Sequence, residues 1–200
     1  MSVSVLGISG SPHRHGNTET LLDSFLAGAE AAGATVEKVI LRELDYMSCR
    51  GCNVCHKTGL CVVQDALTPL LERILAADCL ALASPIYTMG ITAEMKGFLD
   101  RGQALWAQKY ILRTLEHSRG HLACHAGVFI STAGMGSGQV FDAAIPAMKA
   151  FFGTLGFEYS ANILANDMDR YKGIRGHPTA LVDAFKKGGE IVKTLAACSQ

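Results

Sequence analysis

Four cysteines crowd one short segment, Cys49-Arg50-Gly51-Cys52-Asn53-Val54-Cys55-His56-Lys57-Thr58-Gly59-Leu60-Cys61, a C-x2-C-x2-C-x5-C array. Thiolates are nucleophiles and soft metal ligands, so several chemistries compete for them. Structural zinc usually pairs two C-x2–4-C knuckles across a longer loop, which three cysteines in seven residues suit poorly. Disulfides between such close neighbours are strained, and a reducing compartment disfavours them. The C-x2-C-x2-C run is the spacing that wraps three corners of a [4Fe–4S] cube, with a fourth thiolate from elsewhere. Here Cys61 would supply it locally, and no proline follows it as in the ferredoxin run. Gly51 and Gly59 let the chain fold around such a group. Four free thiols in a loop is the bland alternative. Cys79, Cys124 and Cys198 read as buried or tail thiols.

A second segment has the make-up of an anion site. Ser9-Gly10-Ser11-Pro12-His13-Arg14-His15-Gly16-Asn17-Thr18 follows an apolar run and precedes a helical pattern. Its small residues let backbone N–H groups approach an anion, Ser9, Ser11 and Thr18 add hydroxyls, and Asn17 adds an amide. A helix starting at Asn17 or Thr18 aims its dipole at the loop, favouring an anion there by roughly 0.3–1 kcal/mol. Arg14 adds positive charge. The segment is neither G-x-G-x-x-G nor a lysine-bearing P-loop. A plain turn capped by Asn17 is the alternative, although such turns usually need only about 2–6 residues.

Two further loops carry ring-sized walls. In Ser84-Pro85-Ile86-Tyr87-Thr88-Met89-Gly90-Ile91, Pro85 fixes the turn and the next residues can offer N–H groups to a flat heteroaromatic ring, between Tyr87 and Met89. Read alone, Ile86, Tyr87 and Met89 are ordinary core, and Asp100–Arg101 is a surface pair on the following helix. Thr132-Ala133-Gly134-Met135-Gly136-Ser137-Gly138 is small enough to lie close to a ring edge. His117, His121 and His125 recur every four residues and read as separate histidines rather than a metal site. No general acid or base is assigned.

The elements that position these loops alternate. Strand patterns cover residues 3–9, 35–41, 79–84, the end of 121–132, and 157–165. Helical patterns cover 18–32, 65–77, 92–106, 139–155 and 179–197, the last interrupted by Gly188-Gly189. Alternation of this kind implies a parallel sheet with right-handed crossovers. The expected fold is α/β: a flavodoxin-like, doubly wound, five-stranded parallel sheet of order 2-1-3-4-5 in a three-layer α/β/α sandwich. The chain reads as one domain, 1–200, with the cysteine insertion at about 47–64. Ligands of such sheets sit beyond the carboxyl ends of the strands.

Composition agrees. The chain is 49% hydrophobic and 18% charged, too apolar for disorder. Its 18 Lys+Arg balance 18 Asp+Glu, against a general nucleic-acid binder. No apolar run approaches the roughly 20 residues of a membrane helix, and the start lacks a signal-peptide pattern. A cytoplasmic protein is expected, with no nucleic-acid or membrane partner.

Gly7-Ile8-Ser9-Gly10-Ser11-Pro12 with Gly16-Asn17-Thr18, followed by Ser84-Pro85-Ile86-Tyr87 and Lys96, Phe98, Asp100 and Arg101, resembles the NADPH-dependent FMN reductase family. With the cysteine array, the pattern resembles that family's iron-sulfur flavoproteins. The likeness runs from Val3 to the loop after strand 4; beyond Phe157 it is one of fold. It implies FMN at Ser9, Ser11, Arg14, Asn17, Thr18, Pro85, Ile86, Tyr87, Met89, Gly90, Thr132 and Gly134, and a [4Fe–4S] cluster on Cys49, Cys52, Cys55 and Cys61. It also implies a homodimer or homotetramer passing electrons from a ferredoxin-like donor to a small-molecule acceptor. Two other readings stay open: an NAD(P)H-dependent FMN or quinone reductase without a cluster, and a flavin- or metal-binding sensor or interaction module. Met89, Ile91, Trp106 and Tyr110 are expected to flank the ring site as an oligomer contact.

Overall fold

The computed structural model describes residues 2–198. Five strands, β1 (Ser4–Ser9), β2 (Thr35–Ile40), β3 (Cys79–Ala83), β4 (Ala126–Thr132) and β5 (Glu158–Ala165), form one parallel sheet in the order β2-β1-β3-β4-β5. The helices are α1 (Asn17–Ala31), α2 (Cys55–Thr58), α3 (Leu67–Leu75), α4 (Ala93–Arg101), α5 (Gln103–Trp106), α6 (Arg119–Ala123), α7 (Ile145–Leu155) and α8 (Ala180–Cys198). The expected flavodoxin-like topology is the one found.

Because side chains alternate along a strand, each central strand feeds two cores. Val5, Ala81, Val128 and Ile163 meet Leu21, Leu22 and Phe25 of α1 and Ile191 of α8. Leu6, Ile8, Leu80, Leu82 and Phe129 meet Leu70 and Ile74 of α3, Phe98 of α4, and Met148 and Phe152 of α7. Cys79–Ala83 is buried at every position, as the continuous apolarity of a sheet covered on both faces requires. Among the described residues no helix is long and apolar enough to cross a membrane.

Three helix boundaries differ from the sequence pattern. Residues 92–106 break at Gly102 into α4 and α5, and a π-helical stretch, Ala107–Leu112, continues them. The pattern over 139–155 becomes a short 3-10 turn, Gly138–Phe141, and then α7, whose first turn holds Pro146, a residue with no N–H to give. The third difference is α8, which runs unbroken through Gly188-Gly189. Its glycines serve a crossing. A Cβ at Gly188 would stand 2.1 Å from the Phe25 carbonyl oxygen, and one at Gly28 of α1 would stand 1.9 Å from that of Phe185. The two backbones touch, and that contact offsets the roughly 1 kcal/mol each helical glycine costs.

Gly28→Ala therefore forces the two backbones apart. Overpacking of this kind costs about 1–3 kcal/mol. A melting temperature lowered by roughly 2–4 °C per kcal/mol is expected in calorimetry; an unchanged melt would show that α1 and α8 do not cross this tightly.

Candidate functional site

All five parallel strands end on one edge, and the loops leaving β1, β3, β4 and β5 enclose a cavity of about 420 Å³ there. That is the size of a small-molecule site, about 300–1,000 Å³. The β1 loop contributes Ser11, His13, Arg14, Gly16, Asn17 and Thr18; the β3 loop Pro85, Ile86 and Tyr87; the end of β4 Thr132, Ala133 and Gly134; the β5 loop Met168 and Asp169. Gly16 is the N-cap of α1 and no side chain caps it, so the open helix N-terminus borders the cavity. Those free N–H groups and the helix dipole suit an anion.

Buried hydroxyls fasten the loops beneath this floor. Thr18 Oγ1 and Thr132 Oγ1 are 2.6 Å apart and join the β1 loop to β4. Thr92 caps α4 by accepting from Met95 N at 3.2 Å, and its hydroxyl donates to the Gly10 carbonyl at 2.6 Å. Ser131 donates to the Ser84 carbonyl at 2.7 Å. At the rim, Tyr87 Oη and His13 Nδ1 lie 3.0 Å apart, linking the β1 and β3 loops.

Arg14 borders the cavity with its charge already engaged. It pairs with Glu19, Nε to Oε2 at 3.2 Å, and with Glu43. Glu19 also accepts from His15 N at 2.8 Å and Lys38 Nζ at 3.0 Å. Burial raises the pKa of this carboxyl, but the His15, Arg14 and Lys38 hydrogen bonds outweigh it and hold the pKa down at about 2.

Nine of the twelve residues singled out for FMN thus share one cavity. Ser9, Met89 and Gly90 stand apart from its wall. Ser9 is buried at the end of β1 and accepts from Ser11 N at 3.4 Å. Met89 and Gly90 belong to a tight turn closed by reciprocal Tyr87–Gly90 backbone bonds of 2.8 and 3.0 Å. Thr88 and Met89 there take φ of +48° and +63°, and Met89 is exposed rather than core. Asn17 is spent partly on structure: its Oδ1 accepts from Ile174 N at 2.9 Å. His13, inside the quoted β1 segment but not among the twelve, also lines the wall, with Met168 and Asp169, which no motif reached. The strand order itself held the signal for the last two, since β5 beside β4 must bring its loop against the glycine-rich one.

The cysteine segment forms a second cavity of about 210 Å³. Cys49, Cys52, Cys55 and Cys61 line it with Arg50, Asn53, Val62, Val63, Arg101 and Gln103. Gly51 N–H donates to Cys49 Sγ at 3.4 Å. Burial raises the Cys55 pKa, and the charges of Cys49, Cys61 and Cys52 raise it further. Among the described residues the thiols line the wall without converging, three or more together, on a single-ion site.

The segment docks on the α4–α5 side. Tyr46 Oη donates to the Glu94 carbonyl at 2.8 Å and Gln108 Nε2 to the Gly59 carbonyl at 2.7 Å. Three readings are corrected. Arg101 is no surface partner of Asp100; it is 2% exposed, while Asp100 pairs with Lys96 at 2.6 Å. Trp106 and Tyr110 do not flank the first cavity: the Trp106 ring lies 5.9 Å from His56 of the cysteine segment and 5.7 Å from Tyr110. The three histidines are not separate either. They stack, with centroids 4.7 and 3.7 Å apart.

A doubly wound parallel sheet with an anion-ready helix N-terminus at its carboxyl edge is the frame of a flavodoxin-like protein. Residues 3–160 match the family of NADPH-dependent FMN reductases, and the chain belongs to that family of FMN-dependent oxidoreductases. It is similar to an iron-sulfur flavoprotein of Archaeoglobus fulgidus, 40% identical over 96 residues, 48% of this chain and 44% of that one. The chain spans about half the length of the curated relatives of that name. Among solved structures it resembles an azoreductase from Bacillus anthracis (TM-score 0.64, 14% identity, 95% of this chain and 98% of that one). It also resembles a flavodoxin from the domain Archaea (TM-score 0.56, 14% identity, 97% and 99%).

The depressed Glu19 pKa sets a pH window. The unfolded group titrates near 4.5 and the folded one at about 2, so its contribution is complete above 4.5 and is lost as pH falls toward 2. Glu19→Gln is expected to destabilise the fold at pH 7 by about 1.5–3 kcal/mol, the scale of charged hydrogen bonds. In urea titrations that gap closes between pH 4.5 and 2; a gap independent of pH would show that the carboxylate charge holds nothing.

Proposed function

We propose that this chain is a redox flavoprotein in which FMN occupies the 420 Å³ cavity and the four cysteines hold a [4Fe–4S] cluster. The observation that carries the reading is the gathering of Cys49, Cys52, Cys55 and Cys61 around one largely closed cavity, beside the helix whose other end fastens the β1 loop. The donor set suits the group: four thiols, two glycines at positive φ (Gly51 and Gly59), and a buried cation, Arg101, against the charge.

For FMN, the α1 N-terminus with Ser11 and Thr18 would receive the phosphate. Pro85, Ile86, Tyr87, Thr132 and Gly134 would lie along the ring system. Arg14 would shape the loop more than it meets the phosphate, its charge being shared by Glu19 and Glu43. Ser9, Met89 and Gly90 would support from behind or above. The bound flavin supplies its own electron chemistry, and the protein contributes position, electrostatics and exclusion of water. A ferredoxin-type donor would deliver electrons at the cysteine cavity, and a small acceptor such as a quinone would take them at the flavin. A homo-oligomer in the cytoplasm suits that role. The family's description favours one second reading, an NAD(P)H-dependent reductase whose cysteines carry no cluster.

Thr18→Ala removes a hydroxyl from the phosphate end and leaves Thr132 without its partner. A hydrogen bond to a charged group is worth roughly 1.5–3 kcal/mol, so FMN affinity is expected to fall about 10- to 100-fold in a fluorescence titration. Unaltered affinity would place the flavin elsewhere.

Anaerobic reconstitution with iron and sulfide, followed by iron, zinc and flavin counting, tests the cluster. Wild type is expected to take up about four irons per chain. Cys52→Ala should take up few, keep its FMN, and lose FMN reduction by reduced ferredoxin. Zinc without iron in wild type, or FMN reduction at the wild-type rate in the variant, would favour the second reading.

A further inference from the structure

Among the described residues Arg101 is the largest fully buried side chain, 2% exposed at the last turn of α4. Its hydrogen bonds run to both ends of the cysteine segment. Nη1 donates to the Met47 carbonyl at 2.7 Å, and Nη2 donates to the Val63 carbonyl at 3.0 Å. Met47 lies two residues before Cys49 and Val63 two residues after Cys61, so one guanidinium closes the loop that carries all four thiols. Nη1 also meets Asp65 Oδ2 at 2.5 Å. That carboxylate in turn accepts from Met47 N and Leu67 N, both at 3.0 Å, which shares out its charge.

One donor remains. Arg101 Nε is buried and has no acceptor among the described residues. Buried donors are almost always paired, and an orphan in a cavity wall points to a missing acceptor. Arg101 lines the same cavity as the four cysteines. Arg50 also borders that cavity, but it is exposed, and water screens its charge. Arg101, its charge partly balanced by Asp65, is thus the buried guanidinium facing whatever anion the thiols hold.

We propose that Arg101 is a positioning residue for the cysteine site, tying both ends of the thiol-bearing loop to α4 and presenting one free N–H and a buried positive charge to the anionic group those thiols bind. The inference rests on the proposed iron–sulfur reading. It assigns Arg101 two separable effects. The forked bonds order the loop whether or not metal is present, and the charge favours the reduced, more negative form of the bound group.

The test compares wild type with Arg101→Lys, which keeps the charge and loses the fork, and Arg101→Met, which loses both. Deuterium exchange of residues 47–64 in the iron-free proteins reads the loop, and amides there are expected to exchange at least tenfold faster in both variants. After anaerobic reconstitution, a redox titration followed by electron paramagnetic resonance reads the charge. In Arg101→Met the equilibrium constant for one-electron reduction is expected to fall at least tenfold, a midpoint lowered by about 59 mV or more; in Arg101→Lys it should fall less. FMN content and melting temperature report whether each variant is folded. Should Arg101→Met fail to fold, Arg101→Lys still decides, because wild-type exchange in it overturns the proposal. A cluster at wild-type potential in folded Arg101→Met overturns it too, leaving the iron–sulfur reading standing. A wild type that takes up no iron overturns both.

Discussion

Sinking a carboxylate into a protein costs several kcal/mol unless hydrogen bonds replace its water. Glu19, in the first turn of α1, is buried in this way and receives His15 N–H, Arg14 and Lys38. Those three partners come from the β1 loop and from β2, so the shape of the loop is dictated by a charge beneath it. The same network takes up the loop's own cation. What faces the cavity is then an open helix N-terminus, hydroxyls and main chain, a surface that receives an anion through many weak dipoles. The hydroxyl contacts of Thr18 and Thr92 extend that arrangement to β4 and the β3 loop, and the site's geometry follows from them.

A second buried ion does for the cysteine segment what Glu19 does for the β1 loop. Arg101 sits where a helix ends, and the chain on either side of the thiols wraps onto it. Both devices fix an irregular loop by offering its backbone a charged partner inside the protein. Charge-assisted hydrogen bonds are about twice as strong as neutral ones, which is why single side chains suffice.

Much of this was legible in the sequence because it is periodic or local. The strands announce themselves as short apolar runs, the helices by their spacing, and both the β1 loop and the cysteine array by composition over a few neighbouring residues. Long-range geometry was less visible. Arg101 beside Asp100 reads as a surface pair, since nothing local says that residues 47 and 63 return to meet it. Gly188-Gly189 reads as a helix break, because only the crossing with Gly28 explains small residues there. Trp106 and Tyr110 read as walls of the first cavity, whereas the chain beyond Gly102 sets them on the cysteine side. Asp169 belongs to no motif and reaches the site through strand order alone.

The two cavities are mounted on opposite ends of α4: Thr92 at its head holds the Gly10 carbonyl, and Arg101 at its foot holds the cysteine segment. Nine residues at 1.5 Å each set those mounts roughly 13 Å apart. Their spacing is a property of peptide geometry rather than of the loops, and loop motion does not alter it. A helix of this kind has no tolerance for a change of length. One residue added within it would advance Arg101 by only about 1.5 Å but turn it by about 100°, swinging the guanidinium away from both carbonyls. Substitutions along α4 are therefore open to drift wherever they face solvent, while insertions and deletions are closed to it, and the helix keeps its residue count even where it changes its sequence.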